Sequence, residues 1–597
     1  TNLAPSNTCS NNCSVPGSIT SANPGFDTYQ CVVDNAQTSA LACTGNQKAH
    51  QYQGCNTLQV VTPTGTTAVP PNSEVRYADE WAKFLFTTDV SPEPGQQNAA
   101  IYTIDVFKDA QDSRQTGLLM SMAKYGGGRY FSATSEQAIL NALREILIEI
   151  QAVNSVFASA SLPINATNRS QNENQVFIGM FRPDPNAKPK WYGNLKRYQV
   201  GLFGSEAKLA DKDGAEAVSA ATGFVQSCAS SFYTTDSGTY WNFSPISAGL
   251  CTVASTSPFS DLPDGALVEK GAVSEVIRRG NDPSAAIPTT ALNRTVYTCP
   301  FNSTTCSLVP FNTANVGQSR VQAADSTEHQ RIIDFTLGKD VNDENGNSIV
   351  NETRPSLHGD VTHSRPLPVN YGGSTGVVVY YGSNEGTFRA ISGDTGQELW
   401  AFIGSEHHRF LKRLYDNTPI VTYPGLPATV TSQRKDYFFD GSAGLYQNAD
   451  NSKVWVFPSM RRGGRRIYAF DVTNPTTPVL KWRFGCAHLN DDVSCTTGSA
   501  AIGQTWSTPA VATVAGYSGG NAPLVIMGGG YDPCEDADTS APSCTSPKGR
   551  RVYVLDADNG SIQQEFIIPT GSVAADVTLV DRNFDGQVDH AYVVDTR

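Results

Sequence analysis

The 597-residue chain has no apolar run of about 18 residues, so no segment of it is expected to cross a bilayer as a helix. It is also poor in charge, since Asp, Glu, Lys and Arg make up 17% of its residues and the formal net charge is −13. Nucleic-acid surfaces depend on clustered Lys and Arg, so this balance argues against nucleic acid as a partner. Abundant Gly (51) and Pro (34) favour turn-rich β structure over helical bundles.

The 13 cysteines contain no CxxC motif, which argues against a zinc site. Most of them form sequence-local pairs within loop-like segments, and such pairs predict disulfides and an oxidising compartment. These pairs are Cys228/Cys251, Cys299/Cys306, Cys486/Cys495 and Cys534/Cys544. The others crowd near the N-terminus, at Cys9, Cys13, Cys31, Cys43 and Cys55. Their odd number leaves a free thiol or a partner upstream of Thr1, and since no signal peptide is present we expect residues missing before Thr1.

The first 155 residues predict two regions. Residues 1–73 are polar and cysteine-rich, typical of an insertion or N-terminal extension. Residues 74–155 predict helix, strand, helix, strand and helix in turn, which is α/β alternation. The expected elements are helices at 75–86, 118–125 and 136–153, the last capped by Ser135, and strands at 99–106 and 129–131. The glycines at 126–128 lack a phosphate-loop pattern and predict a turn.

From about Ser161 the pattern is all-β and repeats irregularly as strand, turn, strand, which is typical of propeller blades. The copies lie at 386–400, 466–484 and 551–566, with a weaker copy at 175–195. Trp400 ends one copy and is large enough to pack between neighbouring blades. About four blades and the opening of another at 573–597 are predicted, so we expect the natural protein to continue past Arg597. Residues 201–330 are predicted to be long insertions on one face of the propeller.

The segment 581–589 has the composition of a calcium loop. Oxygen-bearing side chains stand at positions 1, 3, 5 and 9, and Gly586 at position 6 permits a sharp turn. Position 12 is Tyr592 instead of the Glu of an EF-hand, and the flanks 577–580 and 590–594 predict strands, so a calcium loop within a β-hairpin is expected. The alternative is an acidic turn that binds nothing. The predicted ligands are Asp581, Asn583, Asp585, Asp589 and the carbonyl of Gln587.

Three further segments, at 354–366, 379–400 and 503–509, resemble signatures of the PilY/PilC family of type IV pilus proteins. The resemblance implies that 74–155 is the C-terminal part of a von Willebrand A-like domain and that 160–597 is a modified, quinoprotein-like β-propeller. It implies a non-enzymatic, calcium-dependent adhesin and pilus biogenesis factor that counters pilus retraction. The expected location is extracellular, at the pilus tip on the outer-membrane surface after export through the periplasm. The expected partners are minor pilins and a host cell or abiotic surface.

The chain departs from the family pattern at one point. The DxSxS metal motif of von Willebrand A domains is absent, so any such adhesion site lies upstream or is lost.

A quinoprotein dehydrogenase is the alternative function. The blade sequence Ala390–Trp400 follows the tryptophan-docking repeat of these enzymes, which would carry a quinone and a calcium ion. Against an enzyme, the sequence has no adjacent Cys-Cys pair of the kind found over the quinone, and the calcium loop is self-contained.

Other candidate sites give weaker signals. The acidic stretch 340–347 could bind a second calcium ion, although its glycine is out of register and a solvated loop is favoured; 211–214 is a weaker acidic turn. The pattern Gly516–Gly520 fits a nucleophile elbow, but it lies between two strands and predicts a hairpin turn. The histidine pairs at 407/408 and 358/363 lack a third ligand at suitable spacing and are predicted to have no metal role.

Overall fold

A computed structural model describes three short N-terminal strands, several stretches up to residue 161, and most of 174–597. Besides the single residues 146, 257 and 426, the described ranges are 28–32, 57–62, 65–69, 78–87, 99–108, 113–140, 142–143, 159–161, 174–219, 225–244, 259–301, 306–423, 429–536 and 546–597. The chain divides into two compact units. The first contains Thr1–Val153, Val218–Cys228 and Ser244–Ser260, and the second contains Asn154–Ala217, Ala229–Phe243 and Asp261–Arg597.

The first unit contains a small antiparallel sheet and a β-α-β unit. Its elements are β1 (Thr28–Val32), β2 (Thr57–Thr62), β3 (Gly65–Val69), α1 (Ala78–Thr87), β4 (Ile101–Val106), α2 (Ser113–Tyr125) and β5 (Gly127–Ala133). β1, β2 and β3 pair antiparallel in that order, whereas β4 and β5 pair in parallel around α2. The predicted alternation from α1 to β5 is therefore confirmed. Its assignment to a von Willebrand A-like domain stays a prediction.

Local contacts explain two details of this unit. The Ser135 hydroxyl accepts a hydrogen bond from the amide of Ala138 (3.2 Å), which confirms the predicted cap of the helix that starts at residue 136. Most of that helix beyond residue 140 lies outside the described residues. At Gly127, whose φ is +69°, a Cβ atom would lie 2.2 Å from the Phe86 ring, so the turn after α2 requires glycine, as expected.

The second unit is built from four sheets, which we call blades 1 to 4, followed by a hairpin. Blades 1, 3 and 4 are antiparallel and four-stranded, whereas blade 2 has six strands. Each predicted copy of the repeat lies in one blade, so the propeller architecture is confirmed for this part of the chain. Blade 1 comprises β6 (Ser159–Ser161), β7 (Val176–Arg182), β8 (Tyr192–Phe203) and β9 (Glu206–Ala210). Blade 2 has the strand order β12 (Leu367–Asn370), β13 (Val377–Gly382), β14 (Thr387–Ser392), β15 (Glu398–Ile403), β10 (Val296–Thr298) and β11 (Val309–Pro310), and β10 pairs in parallel with β15.

The later blades have the same four-stranded form. Two short strands, β16 (Ile420–Val421) and β17 (Ser432–Gln433), pair in parallel before blade 3. Blade 3 comprises β18 (Ala443–Gln447), β19 (Val454–Pro458), β20 (Arg465–Asp471) and β21 (Val479–Cys486). Blade 4 comprises β22 (Ala510–Ala512), β23 (Leu524–Gly528), β24 (Arg551–Asp556) and β25 (Ile562–Ile567), and the closing hairpin comprises β26 (Thr578–Val580) and β27 (His590–Tyr592).

Tryptophan side chains join one blade to the next. Trp400 on β15 is fully buried against Phe470 of blade 3 (5.7 Å between ring centroids), and its indole N–H donates to the carbonyl of Pro475 (2.8 Å). Trp482 on β21 donates in the same way to Ala557 of blade 4 (3.0 Å). The apolar ring fills the space between two sheets while its one donor is satisfied. The predicted role of the blade-end tryptophan is therefore confirmed.

Part of the segment 201–330 lies inside the propeller unit, where surface insertions were expected. The helix α3 (Ala272–Arg278) is entirely buried, with Val273 and Ile277 packed in a core shared with β7, β8 and β13. The sequence looked polar because buried charges are paired here: Arg278 with Asp261 (2.7 Å) and Lys196 with Asp264 (2.8 Å). The surface-insertion prediction is wrong for this helix. Two further helices, α4 (Ser326–Leu337) and α5 (Leu411–Asp416), pack together over blade 2 residues.

The described cysteines support the predicted pairing. Cys299 is bonded to Cys306 and Cys486 to Cys495, as expected. Cys228 and Cys534 are also disulfide-bonded, while their predicted partners, Cys251 and Cys544, lie outside the described residues. The predictions for the N-terminal cysteines concern residues whose side chains are not described. Among the described residues, no helix combines the length and the apolar character that a bilayer span needs.

Replacing Trp482 by Ala should lower the free energy of unfolding by about 3–5 kcal/mol, because a large cavity opens between two blades and the carbonyl of Ala557 loses its donor. Denaturation in urea measures this. Val479→Ala is the matched control: Val479 lies on the same strand with 61% of its surface exposed, and its variant should stay within about 0.5 kcal/mol of the wild type. Equal stability losses in the two variants would disprove the proposed role of the indole.

Candidate calcium-binding loop

The segment 581–589 connects the two strands of the closing hairpin. β26 and β27 pair antiparallel, with Val580 opposite His590 and Thr578 opposite Tyr592. The amide of Asp589 donates to the carbonyl of Val580 (3.0 Å), so the loop begins and ends at one point of the hairpin. The predicted setting, a loop between two strands, is confirmed.

The predicted ligand side chains turn inward onto the amides of their own loop. The two carboxylate oxygens of Asp581 accept from Phe584 (2.7 Å) and Gly586 (2.8 Å). Asn583 accepts from the amide of Asp585 (3.0 Å) and Asp585 from that of Gln587 (2.8 Å). Asp589, at the end of the loop, accepts from the amide of Arg582 at its start (2.9 Å), and this bond closes the loop into a ring.

Two residues of the loop have left-handed backbone conformations. Gly586 has φ +87° with open space around it, so the conformation is what requires glycine at position 6, as the sequence predicts. Phe584 has φ +60°, which is uncommon for an aromatic residue, and its side chain is 89% exposed. The tip of the loop is thus turned outward, while the predicted ligand side chains bond back to amides of the loop.

The donor set fits a hard divalent cation. All of the predicted ligands are oxygens, three of them carboxylates, and calcium takes oxygen ligands almost exclusively. The three carboxylates are not gathered as a close cluster, since each bonds to loop amides. Among the described residues, one group of potential metal ligands has its ligand atoms within 4.8 Å of one another: Cys486, Asp492 and Cys495. Its two cysteines form a disulfide. That cluster is therefore no metal site.

The loop is also fixed to blade 4, through residues that carry no sequence motif. The carbonyl of Thr513 accepts from the amide of Val588 (2.8 Å), and the Thr513 hydroxyl donates to the carbonyl of Gly586 (3.2 Å). Gly520, in the turn between β22 and β23, lies against the Gln587 side chain. An isolated Thr or Gly gives no sequence signal of such a contact. The turn itself is the hairpin turn predicted for Gly516–Gly520, because β22 and β23 pair antiparallel around it.

The second acidic stretch is only partly the solvated loop that was favoured. Its tip is exposed, but Asp340 is fully buried, its carboxylate accepts from the amide of Glu344 (2.8 Å), and burial raises its pKa to about 6. Asn345 and Asn347 both donate to the carboxylate of Glu352 (2.6 and 2.7 Å). The expectation of a solvated loop is wrong for Asp340, and calcium binding at 340–347 stays an open alternative.

The remaining candidates are structural. Asp211 accepts from the amides of Asp213, Ala215 and Ser230, as expected of a turn. The histidines are hydrogen-bonded, as predicted, and burial lowers the pKa of His358 and of His408 to about 3, so both are neutral near pH 7. Their partners are Tyr381 for His358 (2.7 Å), Asp440 for His363 (2.7 Å), Gly463 for His407 (3.1 Å) and Thr298 for His408 (2.9 Å).

The segment 354–366 lies where blades 1, 2 and 3 meet. A Cβ atom at Gly193 of blade 1 would lie 1.9 Å from the carbonyl oxygen of Gly359. Asp360 is buried and accepts from Asn384 of blade 2 (2.8 Å) and from Lys435 (3.0 Å), which lies in the segment before blade 3. The residues of this signature are therefore explained by packing between blades.

Residues 377–597 match the family model of the PilY1 β-propeller domain. The type IV pilus biogenesis factor PilY1 of Pseudomonas aeruginosa strain UCBPP-PA14 is 27% identical over 339 residues, which cover 49% of this chain and 25% of that protein. These matches are all to the PilY1/PilC family of type IV pilus biogenesis factors. The PilY1 homologue of Xylella fastidiosa strain Temecula1 is 24% identical over 314 residues, covering 48% of this chain and 23% of the homologue. The chain thus spans about a quarter of the length of the curated PilY1 relatives it matches.

Two solved structures are also similar. The C-terminal domain of P. aeruginosa PilY1 is 24% identical, with 37% of this chain and 36% of that chain covered and a TM-score of 0.23. The quinohemoprotein alcohol dehydrogenase of Comamonas testosteroni is 16% identical, with 40% and 34% covered and a TM-score of 0.22. TM-scores this low support no argument about function, neither for a pilus protein nor for a dehydrogenase. The PilY1 relatives are named as pilus biogenesis factors rather than as enzymes.

Replacing Gly520 by Ala should destabilise the hairpin, because Gly520 has φ +79° and its Cβ atom would lie 2.3 Å from the Gln587 amide oxygen. The left-handed conformation alone costs about 1–2 kcal/mol in a non-glycine residue. Gly516→Ala is the matched control in the same turn, since nothing lies within 4 Å of the Cβ position there. Thermal unfolding should show a lower midpoint for Gly520→Ala alone; equal midpoints would contradict the contact between this turn and the loop.

Proposed function

We propose that this chain is the propeller-bearing part of a type IV pilus biogenesis factor that acts at the pilus tip, promotes surface attachment and counters pilus retraction in a calcium-dependent way. The observation that carries the proposal is the PilY1 β-propeller match, which extends to residue 597 and so includes the oxygen-lined loop. The curated relatives bear the name of type IV pilus biogenesis factors. No part of the proposal requires catalysis by this chain.

Calcium is proposed to bind in the loop of the closing hairpin. The side chains of Asp581, Asn583, Asp585 and Asp589 and the carbonyl of Gln587 would hold the ion. The ion would supply positive charge among three carboxylates that otherwise repel one another. The effect of the ion would reach blade 4, because Thr513 and Gly520 of that blade contact the loop. Calcium would therefore stabilise the junction between the hairpin and blade 4.

The proposed partners are minor pilins on the propeller side and a host cell or abiotic surface as the adhesive target. An extracellular location at the pilus tip is supported by the disulfides Cys299–Cys306 and Cys486–Cys495, since such bonds persist in oxidising compartments. The net charge of −13 also disfavours nucleic acid as a ligand.

Asp585→Ala should abolish calcium binding and the stabilisation of the propeller by calcium, because the variant loses one of three carboxylates and the acceptor for the Gln587 amide. Isothermal titration measures the affinity, and thermal unfolding with calcium or with a chelator measures the stabilisation. Asp450→Ala is the matched control: Asp450 is an exposed turn aspartate of blade 3 whose carboxylate also accepts from a backbone amide, that of Ser452 (3.1 Å). Unchanged calcium affinity in Asp585→Ala would refute the site.

Deleting the gene that encodes this chain should remove surface pili, and blocking retraction in the same strain should restore them, because the protein is proposed to oppose retraction. Electron microscopy of sheared and intact cells counts the pili, and attachment to a surface is scored in parallel. Complementation with the wild-type gene should restore both readouts. Normal pilus numbers in the deletion strain would contradict the role in biogenesis.

A further inference from the structure

A polar pocket of about 360 Å³ opens where the first strands of successive sheets begin. Its wall includes residues that lie one or two positions before β12, β18, β22 and β26, namely Arg365, Ser442, Thr508 and Asp576. The pocket therefore lies where blades 2, 3 and 4 and the closing hairpin converge. A site at a shared end of several strands is held by the whole propeller rather than by one loop, and it is separate from the calcium loop.

The pocket carries guanidinium groups that make no ion-pair contact with any carboxylate of the described residues. Arg365 and Arg461 line it, and Arg462 is next in sequence. Among the described residues, no carboxylate forms an ion pair with any of these three arginines. The Nε atom of Arg461 is buried and has no hydrogen-bond partner. A guanidinium group that lines a pocket without an ion-paired carboxylate can take an anionic group of a ligand as its partner.

Contacts around Arg461 hold it in position. Its guanidinium lies over the Trp506 ring, 4.4 Å from the centroid, and that of Arg462 lies 5.3 Å from the same ring. Arg461 has φ +48°, a left-handed conformation that is costly for this residue, and its amide donates to the carbonyl of Thr505 (3.0 Å). Trp506 is itself packed on Tyr531 (4.9 Å). The cation is thus fixed before any ligand arrives.

Two acidic side chains lie near the arginines. Asp576 on the pocket wall accepts from the amide of Thr508 (2.6 Å), and Asp440 accepts from His363 (2.7 Å) and Asn384 (3.2 Å). Burial lowers the pKa of Arg461, and the carboxylates of Asp440 and Asp576 only partly offset that effect. The guanidinium would therefore gain from an additional negative charge within the pocket.

We propose that this pocket binds an oxyanion, a carboxylate or a phosphate group, between Arg365 and Arg461. Guanidinium groups bind both kinds of oxyanion through paired N–H donors. The volume is at the lower end of ordinary ligand pockets, about 300–1,000 Å³, which suits a small group or the end of a longer ligand. Ala574 and Ala575 on the same wall leave room for an apolar body next to the anion.

The test is titration of the protein with benzoate and, separately, with inorganic phosphate in a buffer that contains neither anion. Saturable binding of at least one is expected, with Arg461→Gln weakening it at least tenfold. Arg331→Gln is the matched control, because Arg331 is an exposed arginine on α4 outside the pocket, and its variant should bind like the wild type. Binding of benzoate alone identifies a carboxylate site, and binding of phosphate alone identifies a phosphate site.

A second variant keeps the proposal falsifiable if Arg461→Gln unfolds. Arg365 is exposed, so Arg365→Gln should fold with an unchanged melting temperature and still weaken binding. Three results would overturn the proposal: no saturable binding of either anion, equal affinity in wild type and both pocket variants, or the same loss of affinity in Arg331→Gln. None of these depends on calcium, so the result is independent of the proposed calcium site.

Discussion

The close approach of consecutive sheets is the constraint on which the rest of the structure depends. A Cβ atom at Gly382 would lie 1.9 Å from the carbonyl oxygen of Phe439, and one at Gly444 would lie 2.0 Å from that of Pro509. Near the end of each of two repeats, the indoles of Trp400 and Trp482 donate to the following blade. These glycine and tryptophan contacts hold blades 2, 3 and 4 in one register against their neighbours, since contacts this short leave little freedom for one sheet to slide past the next.

Both functional proposals follow from that register. The first strands of successive blades begin close to one another. Arg365, Arg461 and Asp576 therefore come together although they are far apart in sequence. Because the closing hairpin follows blade 4 in the same order, its loop lies on Thr513. The loop has its own hydrogen bonds, so calcium would act on a ring that is already shaped. The ion would then change the charge and mobility of that ring more than its backbone conformation.

The sequence predicted what depends on local pattern. Each of the following features has a sequence pattern that spans only a few residues: the order from α1 to β5, the cap at Ser135, the four blades, the local disulfides and the hairpin around 581–589. It did not predict α3, because buried ion pairs such as Arg278 with Asp261 look like surface polarity when their partners are unknown. Thr513 and the pocket arginines were missed for a related reason, since their roles arise from contacts between blades.

The central claim is that calcium binds the ring formed by residues 581–589 and orders it. Hydrogen–deuterium exchange of the backbone amides, measured with calcium and with a chelator, tests this most directly. The account predicts slower exchange with calcium for the amides of Phe584, Gly586 and Gln587, which bond to the proposed ligand side chains, and for Val588, which bonds to Thr513. Exchange at these amides that is the same in both conditions would contradict it.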